Sequence, residues 1–228
     1  MNIAIIPARS KSVRIKNKNI KLFMGKPIIY WSIKSAKKTK MFDKIIVTTD
    51  DAKIAKLVSK YQIETPFLRP KKLANNKVGI LPVIKHALKR IIKKNKKIEN
   101  VCCIFAPAPL IKYQNIIKAY KILRSKKCDF VIPATKNDDY LARSFYFNNN
   151  KLNMLNKKFY PIRSQDLPKT YHDSGQFLWA KKNTWLKSKK IFTKNSKILI
   201  VPSEDSVDIN NISNWKKAKK IFKTKFRK

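Results

Sequence analysis

The sequence predicts an α/β fold, with a mostly parallel sheet flanked by helices. Short apolar runs alternate with longer stretches in which apolar residues recur every three or four positions, an order typical of parallel strands joined by helices. The chain has 228 residues, of which 43% are hydrophobic and 11% aromatic, enough to form one core. Since no linker separates two halves, we expect a single domain over residues 1–228.

Predicted strands and helices alternate over the first 134 residues. The apolar run Asn2–Ile6 has the length of a buried strand, and Pro27–Lys38 carries proline in its first turn, as helices often do. The continuous apolar triplet 45–47 predicts a strand over Asp43–Thr48. The other elements, in order, are a helix Asp51–Tyr61, an extended segment Ile63–Leu68, a helix Val83–Lys94, a strand Val101–Phe105, a helix Ile116–Ser125 and a strand Phe130–Ala134.

The alternation breaks after Ala134. Residues 136–174 have weak periodicity, a polar run at 148–150 and several aromatic residues, which predicts an insertion made of hairpins, a lid or an oligomerisation arm. Regular structure resumes at Gln176–Lys181 and Lys197–Pro202, and a last helix runs from about Ile212 to Phe222.

The net charge of +41, from 54 Lys and Arg against 13 Asp and Glu, is at first sight typical of a nucleic-acid-binding protein. Only eight of the basic residues are arginine, the residue favoured for phosphate and base recognition, and the lysines are spread over the whole length. We therefore expect mostly solvated surface charge with a general attraction for anions. Nucleic-acid binding stays open as an alternative of a different class.

Nothing in the sequence predicts a membrane or secreted protein. No stretch approaches the roughly 20 apolar residues of a membrane span, and the run Ile3–Ala8 is too short for a signal peptide. The cysteines, at positions 102, 103 and 128, have no metal-ligand spacing. We expect a cytoplasmic protein with no membrane partner.

Basic and small residues follow several predicted strands. Arg9 and the loop 10–19 behind it carry five basic residues, and ligands of open α/β sheets lie beyond the carboxyl ends of strands. The loop could hold a triphosphate, or it could be an ordinary basic loop. Arg69 lies in a stiff loop before Pro70, and Ala106 begins a small, rigid strand end that suits close approach of a base or ribose, or simply ends the strand.

Acidic residues are scarce, so their positions are informative. Asp50 and Asp51 follow a strand, where they could cap the next helix. Asp208 and Asn210 alternate, so on an extended backbone both side chains point the same way. Such a pair could hold Mg²⁺ together with substrate phosphates, or it could belong to a capping turn.

Two polar segments, 163–168 and 171–177, offer varied hydrogen-bonding groups together with aromatic residues, which fits carbohydrate recognition. His172 beside Asp173 could act as a general base or as a structural hydrogen-bonding group.

These residues carry a resemblance to a known family. Ile6–Arg9, Ser12, Arg14–Ile15 and Lys18–Ile20 resemble the opening signature of the acylneuraminate cytidylyltransferases. The sequences Gly25-Lys26-Pro27, Thr49-Asp50, Leu68-Arg69-Pro70 and Val207-Asp208-Ile209 follow in the family's order, and segments 163–168 and 171–177 look like the branch that uses pseudaminic acid. The resemblance covers nearly the whole chain.

The resemblance implies that CTP and a nine-carbon ulosonic acid give a CMP-sugar and pyrophosphate, with Mg²⁺ as cofactor. Another ulosonic acid, neuraminic or legionaminic, is the alternative substrate. The implied nucleotide-binding residues are Ala8, Arg9, Ser12, Arg14, Lys18, Asn19, Arg69 and Ala106, of which Arg9 and Lys18 are also catalytic with Asp208. The implied metal ligands are Asp208 and Asn210, and the implied sugar-binding residues are Arg163, Gln165, His172, Asp173, Ser174 and Gln176.

The resemblance also implies a nucleotide-diphospho-sugar transferase-like fold and a homodimer, in which the inserted segment 136–174 makes the dimer contact and reaches the sugar. The chain departs from the family at several positions. Ser10-Lys11 replaces Gly-Gly, Val13 replaces Lys, Asn210 replaces the second metal-site Asp and Pro107 replaces the branch's Thr. Val78 and Ile80 stand where hydroxyl residues are usual near the cytosine.

Overall fold

The computed structural model of the chain describes residues 1–93, 97–137, 141 and 143–225. Its strands are β1 (Asn2–Pro7), β2 (Leu22–Phe23), β3 (Lys26–Pro27), β4 (Lys44–Thr48), β5 (Asn100–Ile104), β6 (Phe130–Lys136), β7 (Phe145–Asn148), β8 (Lys151–Met154), β9 (Tyr171–Asp173), β10 (Phe177–Lys181) and β11 (Lys197–Ile200). Its α-helices are α1 (Ile28–Lys38), α2 (Ala52–Ser59), α3 (Ile80–Ile92), α4 (Tyr113–Ser125), α5 (Lys182–Lys187) and α6 (Ile212–Lys225).

The central sheet has the strand order β11–β6–β10–β5–β1–β4. Strand β1 pairs in parallel with β4 and β5, and β6 pairs in parallel with β11. Strand β10 lies antiparallel between β5 and β6, and β9 also pairs antiparallel with β6. The predicted α/β class with a mostly parallel sheet is thus confirmed.

Strands β9 and β10 lie on the same side of β6 but are separated by a bulge. Asp173 of β9 pairs with Ala134 of β6, and Trp179 of β10 pairs with Val131 of β6. Along this side of β6, the five residues 174–178 therefore face only the two residues 132–133. Gly175, in the bulge, has φ +64°. Such bulges bend a strand and redirect side chains, here at the carboxyl ends of the parallel strands.

The core has two layers because side chains of a strand alternate between the two faces of the sheet. Ala4 and Ile6 of β1 join the layer that includes α1 and α4, whereas Ile3 and Ile5 join the layer that includes α3 and α5. A smaller third cluster forms under α6, where Trp215 and Phe222 each lie edge-on to Phe23 at 5.5 Å.

Several predicted boundaries differ from the observed ones. The predicted start of α3 at Val83 was wrong by three residues, since Pro82 falls in the first helical turn, where proline is tolerated; Lys94, its predicted end, lies outside the described residues. Segment 63–68 makes only isolated bridges to β4 and to Thr49. Helix α5 and the short β2–β3 hairpin were not predicted.

The predicted insertion begins at the end of β6 and ends with β9, which returns to the sheet. Its described part contains the β7–β8 hairpin followed by two short 3₁₀ turns. Over the ranges that the structure describes, no helix is both long enough and apolar enough to cross a membrane.

Candidate active site

A cleft of about 400 Å³ opens at the carboxyl ends of β1 and β5. It brings together eight residues that the sequence predicted to be functional: Arg9, Ser12, Arg14, Lys18, Asn19, Arg69, Asp173 and Asp208. The positions Pro107, Val78 and Ile80, where the chain departs from the family, also line it. Residues from five separate parts of the chain therefore share one cavity.

The other predicted residues lie outside the lining of this cleft. Ala8 and Ala106 are fully buried, and the Ala106 carbonyl accepts a hydrogen bond from Ser32. Ser174 and Gln176 are also buried, and the Gln176 amide donates to the Asp205 carbonyl at 2.8 Å. The remaining four are Arg163, Gln165, His172 and Asn210, of which the first three are exposed.

The loop after β1 is held at both ends. The Ser10 amide and hydroxyl donate to the Asp50 carboxylate at 2.9 and 2.5 Å. At the other end, the Asn19 amide donates to the Arg9 carbonyl at 2.9 Å. Ile15 is buried in the cluster under α6. These contacts fix the backbone of the loop, so that the side chains of Ser12 and Arg14 line the cleft.

Arg69 is the most buried cation of the cleft, with 4% of its surface exposed. Its guanidinium lies 3.7 Å from the Asp50 carboxylate, and its Nε has no hydrogen-bond partner among the described residues. Burial lowers the pKa of Arg69, and the Asp50 charge opposes this. Burial would raise the pKa of Asp50, but the Ser10 hydrogen bonds and the Arg69 charge hold it below its ordinary value.

Lys18 connects the loop after β1 to the segment that carries Asp208. Its ammonium donates to the Ile209 carbonyl at 2.8 Å. Burial lowers the pKa of Lys18; the Asp208 charge opposes this, whereas Arg14 and Arg9 reinforce it. Together with Arg69, four cations therefore line one cavity and attract an anion to it.

The N-terminus of α3 faces the same cavity. Gly79 caps the helix, and residues 78–80 line the cleft. The side-chain oxygen of Asn75 accepts hydrogen bonds from the backbone amides of Lys77 and Val78. The backbone carbonyl of Asn75 accepts a hydrogen bond from the Arg9 guanidinium at 2.9 Å. The positive end of the helix dipole thus adds to the attraction for a phosphate group.

The segment before Asp208 is fixed by a buried carboxylate that the sequence analysis missed. Asp205 is 2% exposed and accepts hydrogen bonds from Lys112 of the loop before α4 and from Lys225 of α6, the latter at 2.7 Å. A buried Asp normally requires paired cations, and neither lysine was recognisable among the many in the sequence. The scarcity of acidic residues was the only available signal.

Asp208 lines the cleft and lies against Gly175 of the bulge after β9. A Cβ atom at Gly175 would lie 3.3 Å from the Asp208 Cγ, so the glycine makes room for this carboxylate. The Asn210 amide donates to Asp208, and the Asp173 carboxylate accepts the Gly175 amide at 2.9 Å. No group of three or more His, Cys, Asp or Glu that could hold a metal occurs in the described ranges.

Comparison with known proteins identifies the family of the chain. The cytidylyltransferase family model matches residues 3–210. The chain is 35% identical to the pseudaminic acid cytidylyltransferase of Campylobacter jejuni over 97% of this chain and 96% of that protein. It is 30% identical to the N-acylneuraminate cytidylyltransferase of Escherichia coli over 92% of this chain and 49% of that protein.

Among solved structures, the fold is similar to that of a CMP:2-keto-3-deoxy-manno-octonic acid synthetase complexed with CTP. The TM-score is 0.75 with 12% identity, over 98% of both chains. The family match and the relatives identify the chain as a nucleotidyltransferase. More particularly, the chain belongs to the cytidylyltransferase family.

Proposed function

We propose that this protein transfers CMP from CTP to pseudaminic acid and releases pyrophosphate. The observation that carries the proposal is the cleft that joins Arg9, Arg14 and Lys18 to Asp208 at the carboxyl ends of the parallel strands. The 35% identity to a pseudaminic acid cytidylyltransferase over almost the whole chain supports the choice of sugar.

The reaction is an in-line displacement, which asks a protein mainly for positioning and charge neutralisation. Arg9, Arg14, Lys18 and the N-terminus of α3 hold the triphosphate and neutralise the pyrophosphate that leaves. Asn19 and Arg69, which line the same cleft, hold the nucleotide. The anomeric hydroxyl of the sugar then attacks the α-phosphorus, and the bond to the β-phosphate oxygen breaks.

The donor set fits Mg²⁺, because the cleft offers carboxylate oxygens at Asp208 next to the space left open by Gly175. A site with few protein ligands suits this ion, which commonly binds one or two carboxylates together with substrate phosphates. When bound, Mg²⁺ supplies charge stabilisation to the phosphates. Asp208 would hold it, with the Asn210 amide directed at Asp208.

We also propose a cytoplasmic homodimer. The described part of the insertion exposes a set of large apolar side chains, namely Phe145, Tyr146, Phe147, Leu152, Leu155 and Tyr160. Water-facing apolar groups at this density favour contact with another protein surface. Arg163 and Gln165 are exposed on the same insertion, away from the cleft of their own chain. In the dimer they would contact the sugar bound by the partner.

The cytoplasmic location is supported by the free cysteine thiols, which fit a reducing compartment.

The test is pyrophosphate release from CTP and Mg²⁺ with pseudaminic acid, beside neuraminic acid, legionaminic acid and no-sugar reactions. We expect release with pseudaminic acid and none after Arg9→Ala. Lys85→Ala, an exchange of a cation outside the cleft lining, is the matched control and should keep wild-type activity. Release with neuraminic or legionaminic acid alone would keep the reaction and change the substrate.

Nucleic-acid binding is the alternative that the charge of +41 favours. It predicts DNA affinity that falls steeply as salt rises, with a slope set by many phosphate contacts, and no turnover of CTP. We expect turnover of CTP, with only non-specific binding of polyanions at low salt. Failure of folded protein to release pyrophosphate with any sugar, together with such DNA affinity, would replace the enzyme proposal.

A further inference from the structure

We infer that the divalent cation of the reaction is held by the carboxylates of Asp173 and Asp208, rather than by Asp208 together with the Asn210 side chain. This inference rests on the proposed function and concerns the same cleft. It moves Asp173 from the sugar-binding set, where the family resemblance placed it, to the metal site. Two turns that lie 35 residues apart in the sequence would then share one ion.

The bulge between β9 and β10 brings the two carboxylates to the same end of the cleft, which both residues line. Gly175 lies between them: its amide donates to the Asp173 carboxylate at 2.9 Å, and a Cβ at this position would meet Asp208 Cγ at 3.3 Å and Oδ1 at 3.4 Å. The absence of a side chain at Gly175 is what lets Asp208 approach the turn that carries Asp173.

Each carboxylate keeps one oxygen without a hydrogen-bond partner among residues that the structure describes. Asp173 uses Oδ1 to accept the Gly175 amide, and Asp208 uses Oδ2 to accept the Asn210 amide. That leaves Asp173 Oδ2 and Asp208 Oδ1. Mg²⁺ commonly takes one or two protein carboxylates as ligands, while phosphates and water complete its coordination shell. The two free oxygens of Asp173 and Asp208 match this number.

The charge distribution points the same way. Although the chain has 54 basic residues, neither Asp173 nor Asp208 forms an ion pair within 4.0 Å with a described residue. A repulsive carboxylate pair beside Arg9, Arg14 and Lys18 is best compensated by a divalent cation that also contacts the substrate phosphates.

Asn210 has a different role in this arrangement. Its side-chain amide donates to Asp208, and its backbone amide donates to the Asn214 side chain at the start of α6. Such a contact orients a metal-ligating carboxylate without contributing a charge. The neutral residue at position 210 is therefore compatible with a complete site, because Asp173 supplies the second negative charge.

Binding of Mn²⁺ tests the inference independently of turnover. Free Mn²⁺ is measured by electron paramagnetic resonance, with and without CTP, and Mg²⁺ is added as competitor. We expect Asp173→Asn and Asp208→Asn each to weaken Mn²⁺ binding by about tenfold or more, and Asn210→Ala to weaken it less. Asp166→Asn makes the same charge change at an exposed position of the insertion and should bind as wild type does.

Affinity for CTP without metal separates the metal role from a general structural one. It should stay unchanged in Asp173→Asn, because the cations of the cleft hold the phosphates. If Asp173→Asn binds Mn²⁺ within twofold of wild type, the inference is wrong, whether or not the protein turns over CTP. Conversely, loss of Mn²⁺ in this variant with no turnover by wild type would retain the carboxylate pair and reject the proposed function.

A second measurement needs no variant and covers the case in which Asp173→Asn fails to fold. Fe²⁺ bound in place of Mg²⁺, with ascorbate and hydrogen peroxide, generates hydroxyl radicals that cut the backbone beside the metal ligands. We expect cleavage of the wild-type chain near both residue 173 and residue 208, suppressed by excess Mg²⁺. Cleavage confined to 208–210 would overturn the inference.

Discussion

At the scale of single residues, two adjacent carboxylates show how position determines role. Asp51 accepts the Lys53 amide at 2.7 Å and caps α2, which confirms the predicted capping. Asp50 instead accepts two hydrogen bonds from Ser10 and faces Arg69. The sequence could not separate the two roles, because Ser10 and Arg69 are distant in the chain and become neighbours only at the end of the sheet.

This difference gives a matched pair of substitutions. Asp50→Ala should raise the KM for CTP by about tenfold, since it frees the loop after β1 and leaves Arg69 without its counter-charge. Asp51→Ala should lower the free energy of unfolding by about 1 kcal/mol through loss of the cap, with an unchanged KM. Steady-state kinetics and urea unfolding measure the two quantities. Equal KM values for both variants would contradict the assignment of Asp50 to the loop.

At the scale of elements, the bulge between β9 and β10 positions Asp173 and admits Asp208. Gly175 has φ +64° and Gly25 has φ +79°, so both positions favour glycine on backbone grounds. They differ in their surroundings: a Cβ at Gly25 would meet no atom within 4 Å, whereas one at Gly175 would press on Asp208. Substitutions at the two glycines therefore distinguish the effect of backbone strain from the effect of crowding beside Asp208.

Alanine at either glycine should lower the free energy of unfolding by about 1–2 kcal/mol, the cost of left-handed backbone for a residue with a side chain. Only Gly175→Ala should also lower kcat, because it displaces Asp208. The measurement combines chemical unfolding with turnover at saturating CTP. A similar kcat for the two variants would show that the space beside Gly175 is not needed.

The C-terminal helix is also an element with a functional contact, since Lys225 of α6 and Lys112 both hold Asp205. Burial would raise the pKa of Asp205, but hydrogen bonds and charges of these lysines lower it. Asp205 faces Lys112 and Lys225, and Glu204 also lies 3.6 Å from Lys225. The contact ties α6 to the segment that leads to Asp208.

A lowered pKa in the folded state has a defined pH signature. The ionised Asp205 stabilises the fold fully above its unfolded pKa of about 3.9, and this contribution is lost as pH falls below that value. Asp205→Asn should therefore cost about 2 kcal/mol of unfolding free energy between pH 5 and 8. The difference from wild type should shrink below about pH 4. A difference that stays constant down to pH 3 would exclude the ion pairs as its cause.

At the scale of the whole molecule, the exposed apolar surface of the insertion stands out on a chain of such high charge. Phe147 in β7 is 68% exposed, and Phe192, far from it in the sequence, is 66% exposed. If the insertion forms the dimer contact, only the first of these should matter for assembly. The two side chains are almost equally exposed and differ in their surroundings, because Phe147 lies among other exposed apolar residues.

We expect the wild-type chain to behave as a dimer of about twice its 26.7 kDa mass in analytical ultracentrifugation. Phe147→Asp should shift it to monomer and lower turnover, because the sugar-contacting residues of the partner are lost. Phe192→Asp is the control with equal exposure and should remain dimeric. A monomeric wild type that is fully active would contradict the proposed homodimer.

By itself, the sequence determined the fold class and the approximate place of most strands and helices, because both follow from the local periodicity of apolar residues. Basic residues at strand ends also drew attention to Arg69 and to the basic loop after β1, within which the family resemblance singled out Arg9, Arg14 and Lys18. Only the tertiary structure shows the contacts of Asp50, Asp173, Asp205 and Gly175. Their partners come from other strands and loops, and a contact between segments many residues apart leaves no local pattern. The sheet that the periodicity predicts is what brings those segments together.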